Sequence, residues 1–375
     1  KMGLRISTLK FRKLLLATLL MFSFPILMFI KVSHINSEIQ NKHSQLVKLG
    51  QSVLLSDIAD LTGNDDVVQE KNYIYSHSKE NKARAAFVGL VKNSERVSIM
   101  RTIRQIEDRF NKNFNYPIIL LNNEEFTSEF KESVQAITNS KVYFGHVRGR
   151  AWSYPSWINQ TKARIERETS KYVYGKLESY RLMCRFQSGY IFRHPLLRNL
   201  DYYWRIEPGV DYFCDIDYDP FQFMRDNRKM YGFVITVPDG RQTIRTLWDT
   251  TKKFIETHPQ YLNREANINW IMTTNYTYNT CHYWTNFEIA DLSFYRSKTY
   301  MDYFNYLDQA GGFFYERWGD APVHTLATSL FLRPDQIHYF NDIGYRHEPV
   351  GNCPAKSVNK KCVCDSKKNY ADRTT

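Results

Sequence analysis

A chain of 375 residues, 43% of them hydrophobic and with 26 Tyr, 24 Phe and 7 Trp, has the apolar and amphipathic surface for one large or two ordinary globular domains. Its net charge of +12, from 51 Lys and Arg against 39 Asp and Glu, favours anionic partners such as phosphates, nucleotides or lipid head groups. No Arg/Gly tract, zinc finger or nucleic-acid-binding module occurs, so nucleic acid is not expected among them.

Lys1, Arg5, Lys10, Arg12 and Lys13 precede the uncharged stretch LLLATLLMFSFPILMFI, Leu14 to Ile30. As a helix it would run about 25 Å, slightly short of a typical hydrocarbon core, with Lys13 and Lys31 placed to snorkel at its ends. The basic flank predicts a cytosolic tail over 1–13, a signal anchor over 14–30 and a luminal remainder. A cleaved signal peptide is the rival reading, but no convincing cleavage site follows. Residues 31–80 are polar and of mixed charge, as in SEIQNKHSQ and TGNDDVVQEKN, and read as a stem.

From residue 81 the texture changes. RAAFVGLV (Arg84 to Val91) reads as a buried strand and YPIILLNN (Tyr116 to Asn123) as a second. Between them SERVSIMRTIRQIEDRF places Val97, Met100, Ile103, Ile106 and Phe110 at helical spacing behind a Ser94 cap. Strand, helix and strand in this order imply a parallel pair with a right-handed crossover. With DYYWRIEP and MYGFVITVP as further strands, the expected fold class is α/β, a mixed sheet flanked by helices in one large domain over 81–352. Ligands of such sheets lie beyond the carboxyl ends of the strands, which makes Asn93, Glu95 and Arg96 candidates to meet a nucleotide.

RIEPGVDYFCDIDYD, Arg205 to Asp219, sets Glu207, Asp211, Asp215, Asp217 and Asp219 among apolar and aromatic neighbours. A strand ending in Glu207 before Pro208 and Gly209 delivers a carboxylate at a sharp turn, and hard oxygen ligands there suit Mg²⁺ or Mn²⁺. Asp215, Asp217 and Asp219 would share one face of a strand, either as a second acidic surface or as a solvated turn.

Six cysteines, at 184, 214, 281, 353, 362 and 364, form no Cys-x-x-Cys pair. Disulfides in an oxidising lumen are expected rather than a zinc corner of Cys353, Cys362 and Cys364 with His347. Asn159-Gln160-Thr161 and Asn275-Tyr276-Thr277 are acceptor sequons, so Asn159 and Asn275 are candidate glycosylation sites of a luminal chain. The Lys-rich residues 353–375 read as a peripheral extension.

Four blocks carry a specific resemblance: ESYRLMCRFQSGYIFRHPLL (178–197), YYWRIEPGVDYFCDIDYDPF (202–221), YNTCHYWTNFEIADLSFYRS (278–297) and GGFFYERWGDAPVHTLATSLFL (311–332). Together they resemble the fungal α-1,2-mannosyltransferases of glycosyltransferase family 15, the Golgi KTR-type enzymes, from about residue 83 to 354. The resemblance implies a GT-A-like catalytic domain behind a type II Golgi membrane anchor. It implies Mn²⁺-dependent transfer of mannose, with retention, from GDP-mannose to a mannose 2-hydroxyl of a mannosylated glycoprotein acceptor carrying O-linked or N-linked glycans. It further implies that Glu207 and His324 hold the metal, that Glu288 is the catalytic nucleophile and that Tyr180 lies at the substrate.

Around these, Arg185 and Arg205 are expected to add positive charge at the diphosphate, Asp320 to hydrogen-bond a sugar or orient His324, and Trp284 to stack on a mannose ring. Retention leaves two routes open: double displacement through Glu288, or departure and attack on one face with Glu288 stabilising the cationic centre. The alternative is a catalytically inactive relative that binds mannan or GDP. The presence of Glu207, Glu288 and His324 together speaks against it.

Overall fold

The computed structural model describes residues 82–365 and 369–370, which fall within one compact unit. The expected anchor over 14–30 and stem over 31–80 lie outside the described residues. Among the described residues no helix is long and apolar enough to cross a membrane.

The strands in chain order are β1 (Ala85–Leu90), β2 (Ile118–Asn122), β3 (Val142–His146), β4 (Tyr202–Arg205), β5 (Asp211–Tyr212), β6 (Tyr231–Phe233), β7 (Thr236–Pro238), β8 (Cys281–Tyr283), β9 (Ile289–Asp291), β10 (Ile337–Tyr339), β11 (Tyr345–His347) and β12 (Val350–Asn352). Seven of them form one mixed sheet in the order β10-β6-β9-β4-β1-β2-β3. β1 runs parallel to β2 and β4, and β9 is antiparallel to both β4 and β6. The expected mixed sheet with flanking helices is therefore present. The parallel β1–β2 pair, with Phe87 opposite Ile118, closes the expected strand, helix, strand unit.

Both faces of the sheet are covered, which is why its central strands read as continuous apolar runs. In β1, Ala86 and Val88 enter the core that also holds Tyr203, Ala290 and Tyr295, while Ala85 and Phe87 enter the one that holds Trp204, Phe221 and Ile289. The helix Arg96–Ile106 covers the second face, but its register differs from the expected one. Val97 is 73% exposed and Ile99 is buried in its place; a short 3-10 turn at Asn93–Glu95 starts the helix one residue later than a Ser94 cap would. MYGFVITVP also splits: β6 joins the main sheet, whereas β7 pairs with β8 in a two-stranded ribbon.

The disulfide Cys214–Cys362 joins the C-terminal segment to the domain, and Cys353–Cys364 closes a loop within that segment. Asn359 Nδ2 donates to the Asp215 and Asp342 carbonyls, and Lys361 pairs with Asp217. The segment is thus stapled against the stretch after Glu207 rather than standing off as a peripheral extension. The thiols of the imagined zinc corner are consumed in these bonds.

One buried imidazole makes the fold sensitive to acid. His194 is 4% exposed; its Nδ1 accepts from the Leu196 N–H at 3.3 Å, and its Nε2 faces the His146 carbonyl at 3.4 Å. Burial pulls its pKa from 6.5 down to about 4, so the folded state selects the neutral ring. Its stabilisation is complete above pH 6.5 and is lost as the pH falls through 6.5 towards 4, roughly 3 kcal/mol in all. Urea unfolding at pH 7 and pH 4.5 should show that loss in the parent and a smaller one in His194→Leu. An equal loss in both would place the acid sensitivity elsewhere.

Candidate active site

A cleft of about 810 Å³ opens beyond the carboxyl ends of β1, β2 and β4, lined among others by Lys92, Asn122, Tyr180, Arg205, Glu207, Asp239, Trp284, Arg317, Asp320 and His347. Its centre is built by the chain leaving β4. Pro208 and Gly209 turn the backbone sharply, and Gly209 has φ +81°, a conformation open to glycine at little cost. Thr102 Oγ1 donates to the Glu207 carbonyl at 3.0 Å and fixes this turn to the first helix.

Arg205 is the hub. Its Nε and Nη2 donate to Glu207 Oε1 at 3.0 and 2.5 Å, and its Nη1 donates to Asp320 Oδ2 at 2.5 Å. Asp320 also accepts from Thr285 Oγ1 at 2.7 Å. Burial pushes the Asp320 carboxyl up, but the adjacent Arg205 charge outweighs it and the net direction is down. Arg205 is therefore a guanidinium neutralised by two carboxylates, one of which it orients: Oε1 of Glu207 is engaged and Oε2 is left facing the cleft.

The imidazole that meets Glu207 is His347, with Nε2 3.9 Å from Glu207 Oε2 and a buried Nδ1 that has no hydrogen-bond partner. It stands at the end of β11. Asp211 brings that strand into place, for Arg346, next to His347, donates to Asp211 at 2.7 Å, and Arg101 and Gln105 hold the same carboxylate at 2.7 and 2.9 Å. Burial raises the Asp211 carboxyl, but Gln105, Arg346 and Arg101 together hold it below its ordinary range. The other acids of the stretch are frame as well. Asp215 pairs with Arg109, Asp217 with Lys361, and Asp219 caps the helix Pro220–Asp226 while accepting from Tyr116 Oη at 2.6 Å. None of the three lines the cleft.

His324 does not meet Glu207. It is fully buried on the helix Asp320–Phe331, all of whose residues are buried. Its Nδ1 lies 3.0 Å from Glu288 Oε2 and its Nε2 3.2 Å from the Gln187 carbonyl. A carbonyl only accepts, so Nε2 carries a proton, and one further proton lies between Nδ1 and Glu288. Glu288 is itself fully buried, accepts from Tyr203 Oη, and is absent from the cleft wall. Burial raises its carboxyl, opposed by His324.

Arg185 is likewise displaced from its expected place. It is 1% exposed, bound to Asp308 through Nε and Nη2 at 2.7 and 2.8 Å, and spends its charge there. The cleft cation that sequence reasoning missed is Arg317. It donates to Tyr180 Oη at 3.1 Å and to Asp239 at 3.3 Å, and keeps a buried Nε with no partner. Burial pushes the Tyr180 hydroxyl well up, so it retains its proton. Trp284 does line the cleft, set edge-on against the His347 ring at 5.3 Å. Of the early candidates, Glu95 lines the cleft, whereas Arg96 pairs with Glu129 and Asn93 holds the loop at Glu125. Asn159 and Asn275 are both exposed.

A family model described as glycolipid 2-alpha-mannosyltransferase matches residues 38–375. Glycolipid 2-alpha-mannosyltransferase 1 of Candida albicans is 49% identical over 318 residues, covering 83% of this chain and 74% of that protein. Alpha-1,2 mannosyltransferase KTR1 of Saccharomyces cerevisiae is 46% identical over 296 residues, covering 77% and 75%. Among solved structures, core-mannan synthase A (CmsA/Ktr4) from Aspergillus fumigatus in its Mn/GDP form superposes with a TM-score of 0.75 at 41% identity, over 83% of this chain and 88% of that one. With both the family model and these identities spanning most of the chain, it belongs to the glycolipid 2-alpha-mannosyltransferase family.

Proposed function

We propose that this α-1,2-mannosyltransferase draws mannose from GDP-mannose bound in the cleft and places it on the 2-hydroxyl of an acceptor mannose, with Glu207 and His347 holding a Mn²⁺ ion. The observation that carries the assignment is the Glu207 carboxylate, anchored through Oε1 by Arg205 with Oε2 turned towards an imidazole whose other nitrogen is unpartnered. A mixed oxygen and nitrogen pair suits Mn²⁺, and the related core-mannan synthase A was solved in an Mn/GDP form. Among the described residues the only cluster of three donor atoms is Cys214, Cys362 and Cys364, whose sulfurs are in disulfides, so in the cleft Glu207 and His347 would share the ion with diphosphate oxygens and water. When bound, the ion supplies charge stabilisation to the departing diphosphate.

The chain's own residues supply the rest. Arg317 adds positive charge at the leaving group, and Asp239 and Tyr180 hold its guanidinium in direction. Tyr180, kept protonated, donates to a donor or acceptor oxygen. An α-linked donor giving an α-linked product requires retention. With both Glu288 oxygens engaged below the cleft wall, we assign transfer on one face of the sugar: the anomeric C–O bond to GDP breaks, the acceptor oxygen bonds to the same face, and its proton passes to the departing phosphate. Glu288 and His324 then act as a buried support, with Gln187, whose carbonyl His324 holds, at the cleft.

The two disulfides fit an oxidising lumen, in keeping with a Golgi type II arrangement and glycoprotein acceptors. The test is transfer of labelled mannose from GDP-mannose to α-methyl-mannoside by residues 81–375 with Mn²⁺ or with EDTA. Manganese-dependent formation of a 1,2-linked product supports the reading; a folded protein that binds GDP but transfers nothing supports the inactive relative instead.

A further inference from the structure

Residues 170–177, SKYVYGKL, form a wall shared by two cavities. Tyr174 and Leu177 line the main cleft, and they also line a shallower groove of about 450 Å³ bordered otherwise by Ser170, Lys171, Tyr172, Gly175 and Lys176. The two ring systems at this wall are in contact: Tyr174 stacks on Tyr180 with centroids 4.9 Å apart and planes at 22°. Tyr174 is nonetheless 54% exposed, so the remaining ring surface faces the ridge between cleft and groove.

The loop is built to hold that ring. Tyr174 has φ +57°, a left-handed conformation that is strained for a bulky side chain. It is fixed from below by Arg181, a guanidinium 1% exposed that donates to the Gly175 carbonyl at 2.9 Å and to the Phe314 carbonyl at 3.0 Å. At Gly175 a Cβ would stand 1.8 Å from Ser170 Oγ, so any larger residue would displace the Ser170 and Tyr172 side chains. A buried charge and a strained backbone spent on an exposed aromatic ring point to a ligand for that ring.

We infer that Tyr174 is an acceptor subsite one sugar beyond the reacting mannose: the second mannose of an α-linked oligomannoside rests its apolar C–H face on the Tyr174 ring, and the chain leaves along the 170–177 groove. The inference rests on the mannosyl-transfer reading above, because it takes the reacting sugar to lie beside Tyr180. A planar ring with an exposed face suits the C–H face of a pyranose. Lys171 and Lys176, exposed at the groove, have long donors for sugar hydroxyls.

The experiment compares KM for α-methyl-mannoside and for α-1,2-mannobiose at saturating GDP-mannose. The parent protein should favour the disaccharide by about tenfold, the scale of one aromatic stack. Tyr174→Ala should bring the ratio of the two KM values to about one, and Tyr174→Phe should keep it. Tyr174→Asn, whose side chain tolerates the left-handed backbone, repeats the loss in a form that does not strain the loop. A disturbance passed only through Tyr180 would weaken both acceptors alike, leave the ratio unchanged and overturn the subsite, as would a parent protein with no preference for the disaccharide. Transfer to neither acceptor by the parent protein would instead remove the mannosyl-transfer reading itself.

Discussion

Glu207→Gln should cut Mn²⁺-dependent mannosyl transfer by about 10³-fold, on the order of 4 kcal/mol at the transition state, while GDP-free protein unfolds almost as before. The amide keeps an oxygen for Arg205 Nε and Nη2 and loses the anionic Oε2 that faces His347. His347→Ala should raise the half-saturating Mn²⁺ concentration by roughly 100-fold, because the protein then offers a single ligand. His324→Ala should leave that concentration where it is. Titrating transfer with Mn²⁺ in the three variants decides between the two histidines. A shift in His324→Ala with none in His347→Ala would return the metal to the residue that the sequence blocks implied.

The buried Glu288–His324 pair should prove costly to break and cheap to remove whole. Glu288→Ala and His324→Ala each leave a partner in a fully buried site, with an expected loss of about 3–5 kcal/mol apiece. The double variant should lose clearly less than the sum, since the second change removes the orphan that the first one leaves. Denaturant unfolding of the four proteins reads this coupling directly. Tyr203, which donates to the same carboxylate, is left unpaired in both Glu288 variants and does not affect the comparison. If Glu288→Ala kept full stability and lost only turnover, the carboxylate would belong to the reacting centre, and double displacement would be the better account of retention.

Legibility varied with how local each determinant is. β1 and β2 were readable because unbroken apolar runs between polar boundaries leave little else for a chain to do, and the parallel crossover followed from their order. Val97 was misplaced by a 3-10 turn of three residues, a start that periodicity cannot register. The fate of the acids after Glu207 was out of reach: Asp211, Asp215 and Asp217 are matched by Arg346, Arg109 and Lys361, all distant in the chain. The place of His324 was out of reach for a related reason. Its helix is buried on every side, and a helix without a polar face gives no sign of which way any side chain points.

The sequence by itself determined the α/β class, the family through its four blocks, and Glu207 at a Pro-Gly turn closing a strand, because each is written in neighbouring residues. Only the tertiary structure decided which imidazole faces that carboxylate, that Arg317 rather than Arg185 brings charge to the cleft, and that Glu288 lies beneath it. Those are choices among chemically equal side chains far apart in sequence. They are settled by which helices and strands pack together and by the cost of burying a charge without its partner.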